Sequence, residues 1–210
     1  MSVDIISSGK LVYIVKQPLH NRDLDRYGIL KLHADGYQIS VIDLTEVLHP
    51  ETPRPEHPHR LTKDVAVYKP QNWSEFQALK DVVQHADLVF FLIQSYGLSA
   101  ATIRPLRMLA RTGTPYAIQG TVSMPGLSHH VHEPMTHPIS TLWGRFKNMN
   151  ILNSVISRTP PALLNIPMAK YALVPCAEDV SIAGNSLVGA NTTIIPLHTG
   201  DYEIYRQAAL

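Results

Sequence analysis

The chain predicts an α/β fold, a Rossmann-like and mostly parallel sheet with helices on both faces. Three observations predict it. Apolar, β-rich runs alternate with stretches of helical spacing along the chain. The runs Lys10 to Val15 and Asp87 to Gln94 are nearly continuously apolar, as strands covered on both faces are. The opening strand, helix and strand over Leu11 to Asp43 form a βαβ unit, a connection that is almost always right-handed.

Taken in order, Lys10 to Val15 is the first strand, and Arg22 to Ala34 reads as a helix. Leu24, Tyr27, Leu30 and Ala34 supply its apolar spacing, and Gly36 is its stop. Tyr37 to Leu44 is a second strand. Pro50 to Arg60, with four prolines, reads as a loop because proline fixes φ and lacks a donor. Asp64 to Tyr68 is a short strand. Asn72 is the expected N-cap of a helix over Trp73 to His85, with Glu75 completing a pattern like a capping box. Asp87 to Gln94 is the most apolar strand, Ser99 to Arg111 a helix kinked at Pro105, and Thr114 to Gln119 a strand. Gly120 to Pro138 is irregular, and an irregular stretch of that length is usually functional or mobile. Ile139 to Ser157 is expected to be helix, Tyr171 to Pro175 and Thr193 to Pro196 strands, and Asp201 to Ala209 a last helix.

The length of 210 residues admits one large domain or two small ones. A single Rossmann-like domain over residues 1–210 is the expectation. A formal charge of +1 argues against a partner held mainly through phosphates, so no nucleic acid is expected. The single cysteine, Cys176, excludes an intrachain disulfide framework and favours a reducing compartment. It reads as a small buried side chain. The N-terminus has no secretory pattern, and no apolar run approaches the roughly 20 residues of a transmembrane segment. A cytoplasmic protein is expected.

In open α/β sheets, ligands bind at the C-terminal ends of strands, so polar residues there are the candidates. After the first strand come His20, Asn21, Arg22 and Asp23. His20 or Asp23 suits a general base, and Arg22 suits an anionic group. The alternative is a helix capped by Asn21 or Asp23 with Arg22 in solvent. After the strand at 87–94 come Gln94, Ser95, Tyr96 and Gly97, of which Tyr96 alternatively covers the next helix start. Gln119, Gly120, Thr121 and Ser123 follow the strand at 114–119.

The Gly-x-Gly-x-x-Gly fingerprint and the P-loop are both absent, which weakens dehydrogenase and NTPase readings. The histidines of His129 to His137 lack the spacing of a zinc helix and a cysteine companion. They read as solvated loop side chains, as do His49, His57 and His59. No metal ligands are predicted. No Gly-x-Ser-x-Gly elbow supports a serine triad.

Two segments, NRDLDRYGILKLHADGYQISVIDLTEVLHPE and NTTIIPLHTGDYEIYRQ, resemble bacterial glycosyltransferase-like proteins of surface-polysaccharide biosynthesis. The first carries an aromatic-Gly-Ile helix, a strand and an Asp-Leu-Thr turn leading to proline. The second carries a strand, His-x-x-Asp-Tyr and a tyrosine-containing helix. The resemblance implies the N-terminal half of a GT-B fold, which generally takes the acceptor while a second domain binds the nucleotide-sugar. It implies a glycan acceptor and a nucleotide-sugar donor as partners, with no cofactor. It also implies a second domain or chain to complete the enzyme, and leaves a homo- or hetero-oligomer open. His198 and Asp201 would then lie at an interdomain edge, the alternative being a helix cap by Asp201. The competing reading is a non-catalytic Rossmann-like module that binds a glycan or a partner.

Overall fold

A computed structural model of the chain describes residues 9–51, 56–93, 98–119, 155–156, 158–174 and 186–196. Within them lie β1 (Lys10–Val15), β2 (Gln38–Asp43), β3 (Ala66–Tyr68), β4 (Leu88–Phe91), β5 (Tyr116–Gln119), β6 (Tyr171–Val174) and β7 (Thr193–Pro196). They pair in parallel as one sheet in the order β3-β2-β1-β4-β5-β6-β7. This is the Rossmann-like arrangement that the alternation predicts.

β1 is the strand around which the rest is arranged. It pairs with β2 from Lys10 opposite Gln38 to Val15 opposite Asp43, and with β4 from Leu11 opposite Leu88 to Ile14 opposite Phe91. Five of its six residues are buried, so both faces must be covered. On one face, Leu11, Tyr13 and Val15 pack with Leu24 of α1 (Asn21–Arg26), Ile29 of α2 (Ile29–Ala34) and Leu61 of a later helix over His59–Asp64. On the other, Val12 and Ile14 join one cluster with Phe76, Val83, Leu106 and Leu109. Burial of each such side chain favours the fold by about 1.5–3 kcal/mol.

The helix expected over Arg22 to Ala34 is two helices, α1 and α2, broken at Tyr27 and Gly28. Gly28 stands at φ +63°, the left-handed region, which side chains with a Cβ rarely adopt. The aromatic-Gly-Ile helix of the resemblance is therefore a helix break here. The Tyr27 carbonyl freed at the break accepts from the Tyr13 hydroxyl at 3.1 Å. Burial pushes the Tyr13 phenol well above its ordinary value, and its ring stacks on Phe90 at 4.6 Å. Gly36, at φ +93°, ends α2 as expected.

After β2, the short α3 (Thr45–Leu48) opens on Asp43, whose Oδ1 accepts both the amide and the hydroxyl of Thr45. This is the local turn that Asp is suited to make, and it realises the Asp-Leu-Thr turn of the sequence. The predicted loop over Pro50 to Arg60 gives way at His59, where α4 (His59–Asp64) begins. Proline at position 58 caps that start without breaking it, since an early helix turn needs no donor from proline. Residues 64–65 accordingly precede β3 rather than belonging to it.

The helix expected over Trp73 to His85 is α5 (Trp73–Ala78) and α6 (Lys80–Gln84). At the intervening Leu79 the amide bonds back only three residues, to the Phe76 carbonyl, which tightens the chain out of α-helix. Asn72 caps α5 by accepting the amides of Ser74 and Glu75 at 3.0 Å. Glu75 reaches back one residue further than a capping box, to the amide of Gln71 at 2.8 Å. α7 (Ala100–Thr112) carries Pro105 inside it, and a 3₁₀ turn over Pro161–Leu164 leads towards β6.

Residues 120–138, nearly all of 139–157, Cys176 and 201–209 lie outside the described residues. Among the described residues, no helix is long and apolar enough to cross a membrane.

A Cβ at position 28 meets nothing closer than 4.0 Å, so the cost of Gly28→Ala is conformational, not steric. Gly28→Ala is expected to lower stability by about 1–2 kcal/mol and Gly28→Asn by less, read from urea denaturation midpoints. Equal, negligible losses in both would show that the left-handed turn is not required.

Candidate functional site

The strand order reverses between β1 and β4: β2 and β3 extend the sheet to one side, and β5 to β7 to the other. That reversal is the topological switch point, and the crevice outside the two strand ends is where such sheets bind ligands. A cleft of about 180 Å³ opens there. Val15, Lys16, Gln17 and Leu19 form its β1 side, and Leu92 closes it beyond β4. Arg22, Asp23, Arg26 and Tyr27 form its α1 wall.

The α1 wall follows from helical spacing. Residues four apart share a face, which stacks Arg22 with Arg26 and Asp23 with Tyr27. Leu24 faces the core and is fully buried, which turns this polar face outward to the cleft. Asp23 is itself buried at 6% exposure. Its Oδ2 accepts the His20 amide at 2.9 Å, while the His20 carbonyl accepts the Asp23 amide at 2.9 Å. The helix-cap alternative is thus realised by Asp23, and Asn21 is instead the first helical residue. Arg22 Nε lies 4.0 Å from Asp23 Oδ1, with the arginine side chain 65% exposed.

The Tyr27 phenol reports the field inside the cleft. Burial and then the Asp23 carboxylate raise its pKa, while Arg26 and Arg22 pull it back and Arg26 hydrogen-bonds its hydroxyl. Asp23, Arg26 and Arg22 therefore all act on Tyr27.

Of the sequence candidates, Arg22 and Asp23 line the cleft, whereas His20 and Asn21 are exposed and are not among its lining residues. Gln94, Ser95, Tyr96, Gly120, Thr121, His198 and Asp201 lie outside the described residues. Sequence reasoning missed Lys16, Gln17, Arg26 and Tyr27. The signal for the last two was the four-residue spacing from Arg22 and Asp23.

His57 requires a correction. Read as a solvated loop histidine, it is buried, with its Nε2 2.8 Å from Asp43 Oδ2. Carboxylates only accept, so Nε2 carries the proton and donates. Nδ1 is buried and has no hydrogen-bond partner among the described residues. The reason for the error is the buried Asp43 at the end of β2, which draws an N–H donor from fourteen residues away. His49 and His59 are exposed, as expected, and His129 to His137 lie outside the described residues. No group of three or more potential metal ligands gathers among the described residues.

Burial alone would raise the Asp43 carboxyl, but hydrogen bonds from His57 and Thr45 outweigh it and hold the group below its ordinary value of 3.8. A depressed carboxyl contributes stability in full above its unfolded value and loses it as pH falls through the folded one. Wild-type stability should therefore drop on acidification below about pH 4, and Asp43→Asn should flatten that part of the profile, read from denaturation midpoints. His57→Ala, which strands the buried carboxylate, should cost about 3–5 kcal/mol at neutral pH. A loss under about 1 kcal/mol would mean that the pair is not buried as described.

No protein-family model matches this chain, and no curated protein matches it. Among solved structures, it is similar to the Helicobacter pylori ADP-L-glycero-D-manno-heptose-6-epimerase, at a TM-score of 0.41 and 10% identity over 82% of this chain and 56% of that one. It is similar to MoeE5, solved in complex with UDP-glucose and NAD, at 0.38 and 14% over 79% and 54%. It is also similar to CalG4, the calicheamicin glycosyltransferase, at 0.35 and 10% over 90% and 51%. The chain spans little more than half the length of each.

Proposed function

We propose that this chain is a glycosyltransferase-like domain of bacterial surface-polysaccharide biosynthesis that seats a glycan acceptor at the crevice between β1 and β4. It presents a sugar hydroxyl for transfer from a nucleotide-sugar held by another domain or chain. The observation that carries the reading is the polar cleft at the switch point, with Gln17, Asp23 and the arginines to hydrogen-bond hydroxyls and Tyr27 to offer a ring face. The resemblance of residues 21–51 and 191–207 supports the choice of a sugar. In this reading Asn21, and Gln94, Ser95, Tyr96, Gly120, Thr121, His198 and Asp201, supply further acceptor contacts.

Of the two candidate bases, Asp23 lines the cleft but already accepts the His20 amide, and we take the exposed His20 ring as the one that accepts the hydroxyl proton. His20 caps α1 through its backbone, so removing the ring leaves the cap in place. His20→Ala is expected to lower transfer by about 100-fold or more in an assay completed with the donor-binding part, with an unchanged denaturation midpoint. Full transfer by this variant would remove the base assignment.

A second reading, a binding module without turnover, is favoured by a different observation. Both buried carboxylates at the described strand mouths are already engaged, Asp23 by the His20 amide and Asp43 by His57 and Thr45. Glycan binding that survives in His20→Ala, together with no transfer by the wild type under any donor, would select it.

A further inference from the structure

α7 covers the face of the sheet opposite α1, with Leu106 and Leu109 in the core and Arg104, Arg107 and Arg111 exposed. A solvated helix face commonly mixes both signs of charge, and this one carries no acid. Among the described residues, none beyond position 97 is Asp or Glu. Arg104 lies over the Trp73 ring at 4.9 Å and is engaged there. Arg107 and Arg111, four residues apart, share a face. With Leu163, Leu164 and Asn165 they line an opening of about 300 Å³ between α7 and the 3₁₀ turn. Arg107 Nε donates to the Leu164 carbonyl at 3.5 Å, which ties the side chain to the turn through a neutral partner. Arg111 makes no hydrogen bond or ion pair among the described residues. Leu163, on the same opening, is 77% exposed. An exposed leucine alone means little; here it stands beside two arginines, so one opening offers both a cationic and an aliphatic contact.

We infer that this opening docks a segment of a partner protein that carries carboxylates beside aliphatic side chains. The arginines offer forked donors that fit the two oxygens of a carboxylate. Leu163 and Leu164 receive the aliphatic part, and Asn165, which ends the turn at φ +53°, adds an amide for the segment's backbone. Charge complementarity favours this occupant over a second copy meeting the face with its own, since that would set arginine against arginine. A bare polyanion would satisfy the arginines and leave Leu163 in water. The opening lies on other elements than the cleft at β1 and β4, and the inference is independent of what that cleft binds.

The test is an amide-resolved NMR titration of the full chain with a capped octapeptide of glutamates and leucines. Three further probes accompany it: the same peptide with glutamines for the glutamates, the same with alanines for the leucines, and tripolyphosphate. The expected result is that the first peptide shifts the amides of residues 106–112 and 162–166 and binds at least about tenfold more tightly than either altered peptide. Arg111→Gln should weaken that binding about threefold, and Leu163→Ala about fivefold. Both side chains are exposed, so their loss leaves the fold intact. Arg107→Gln also removes the contact to the turn and is the less selective variant. Added salt should weaken the first peptide and leave the weak binding of the glutamine peptide unchanged.

Equal binding of the glutamate and glutamine peptides would overturn the acidic character of the partner. Tripolyphosphate or the alanine peptide binding as tightly as the first peptide would overturn the aliphatic contact and leave a bare anion site. Shifts of the same amides with protein concentration alone would give the face to a second copy. No shift at these residues with any probe would overturn the opening as a docking site.

Discussion

Everything in this fold depends on β1 being paired on both edges and covered on both faces. A buried strand has to place all its amides and carbonyls in neighbouring ladders, which β2 and β4 provide. It also has to find two layers of apolar side chains. The sequence meets that demand with alternate residues, Leu11, Tyr13 and Val15 to one layer and Val12 and Ile14 to the other. A strand so enclosed offers chemistry only where it ends. Polar residues then begin at Lys16, and with them the cleft.

The same constraint sets the shape of the α1 wall. The chain leaves β1, turns through buried Pro18 and Leu19, and must return Leu24 to the layer over Tyr13 and Val15. Helix geometry then brings Arg22, Asp23 and Arg26 to the cleft, while Tyr27 both lines the cleft and packs against that layer. The helix cannot run on, because Gly28 in the left-handed region redirects the chain so that Ile29 reaches the same core. Tyr13 joins these requirements. Its ring fills the layer against Phe90, and its hydroxyl donates to the carbonyl released at the break. Packing, chain reversal and the position of the polar wall are consequently one arrangement.

This explains what was legible in the sequence and what was not. β1 was legible because double burial writes itself as a continuous apolar run, and the cap at Asn72 because a side-chain acceptor at a helix start has a local pattern. The break at Gly28 was hidden inside a good helical period, since glycine in a helix and glycine in a turn look alike without the fold. His57 was hidden for the opposite reason. Its neighbours, prolines and histidines, have the composition of an exposed loop, whereas its burial is decided by Asp43, on another strand end. The cleft was half legible: Arg22 and Asp23 follow a strand and attract notice, but Lys16, Arg26 and Tyr27 join them only once the strand order is known.

Asp43 also bears on which side of the crevice recognises a ligand. In dinucleotide-binding Rossmann domains, an acidic residue about 20 positions beyond the glycine fingerprint hydrogen-bonds a ribose. Asp43 ends β2, directly opposite Val15 in the ladder, and would be the residue to look at. Its two oxygens are taken by Thr45 and by the buried His57 ring, which fill that edge of the crevice with protein. The edge formed by α1 lines open space with Lys16, Arg22, Arg26, Asp23 and Tyr27. Asp43 is engaged within the protein, so on the acceptor reading proposed above the contacts to a ligand come from the α1 edge, through Gln17, Asp23 and the arginines.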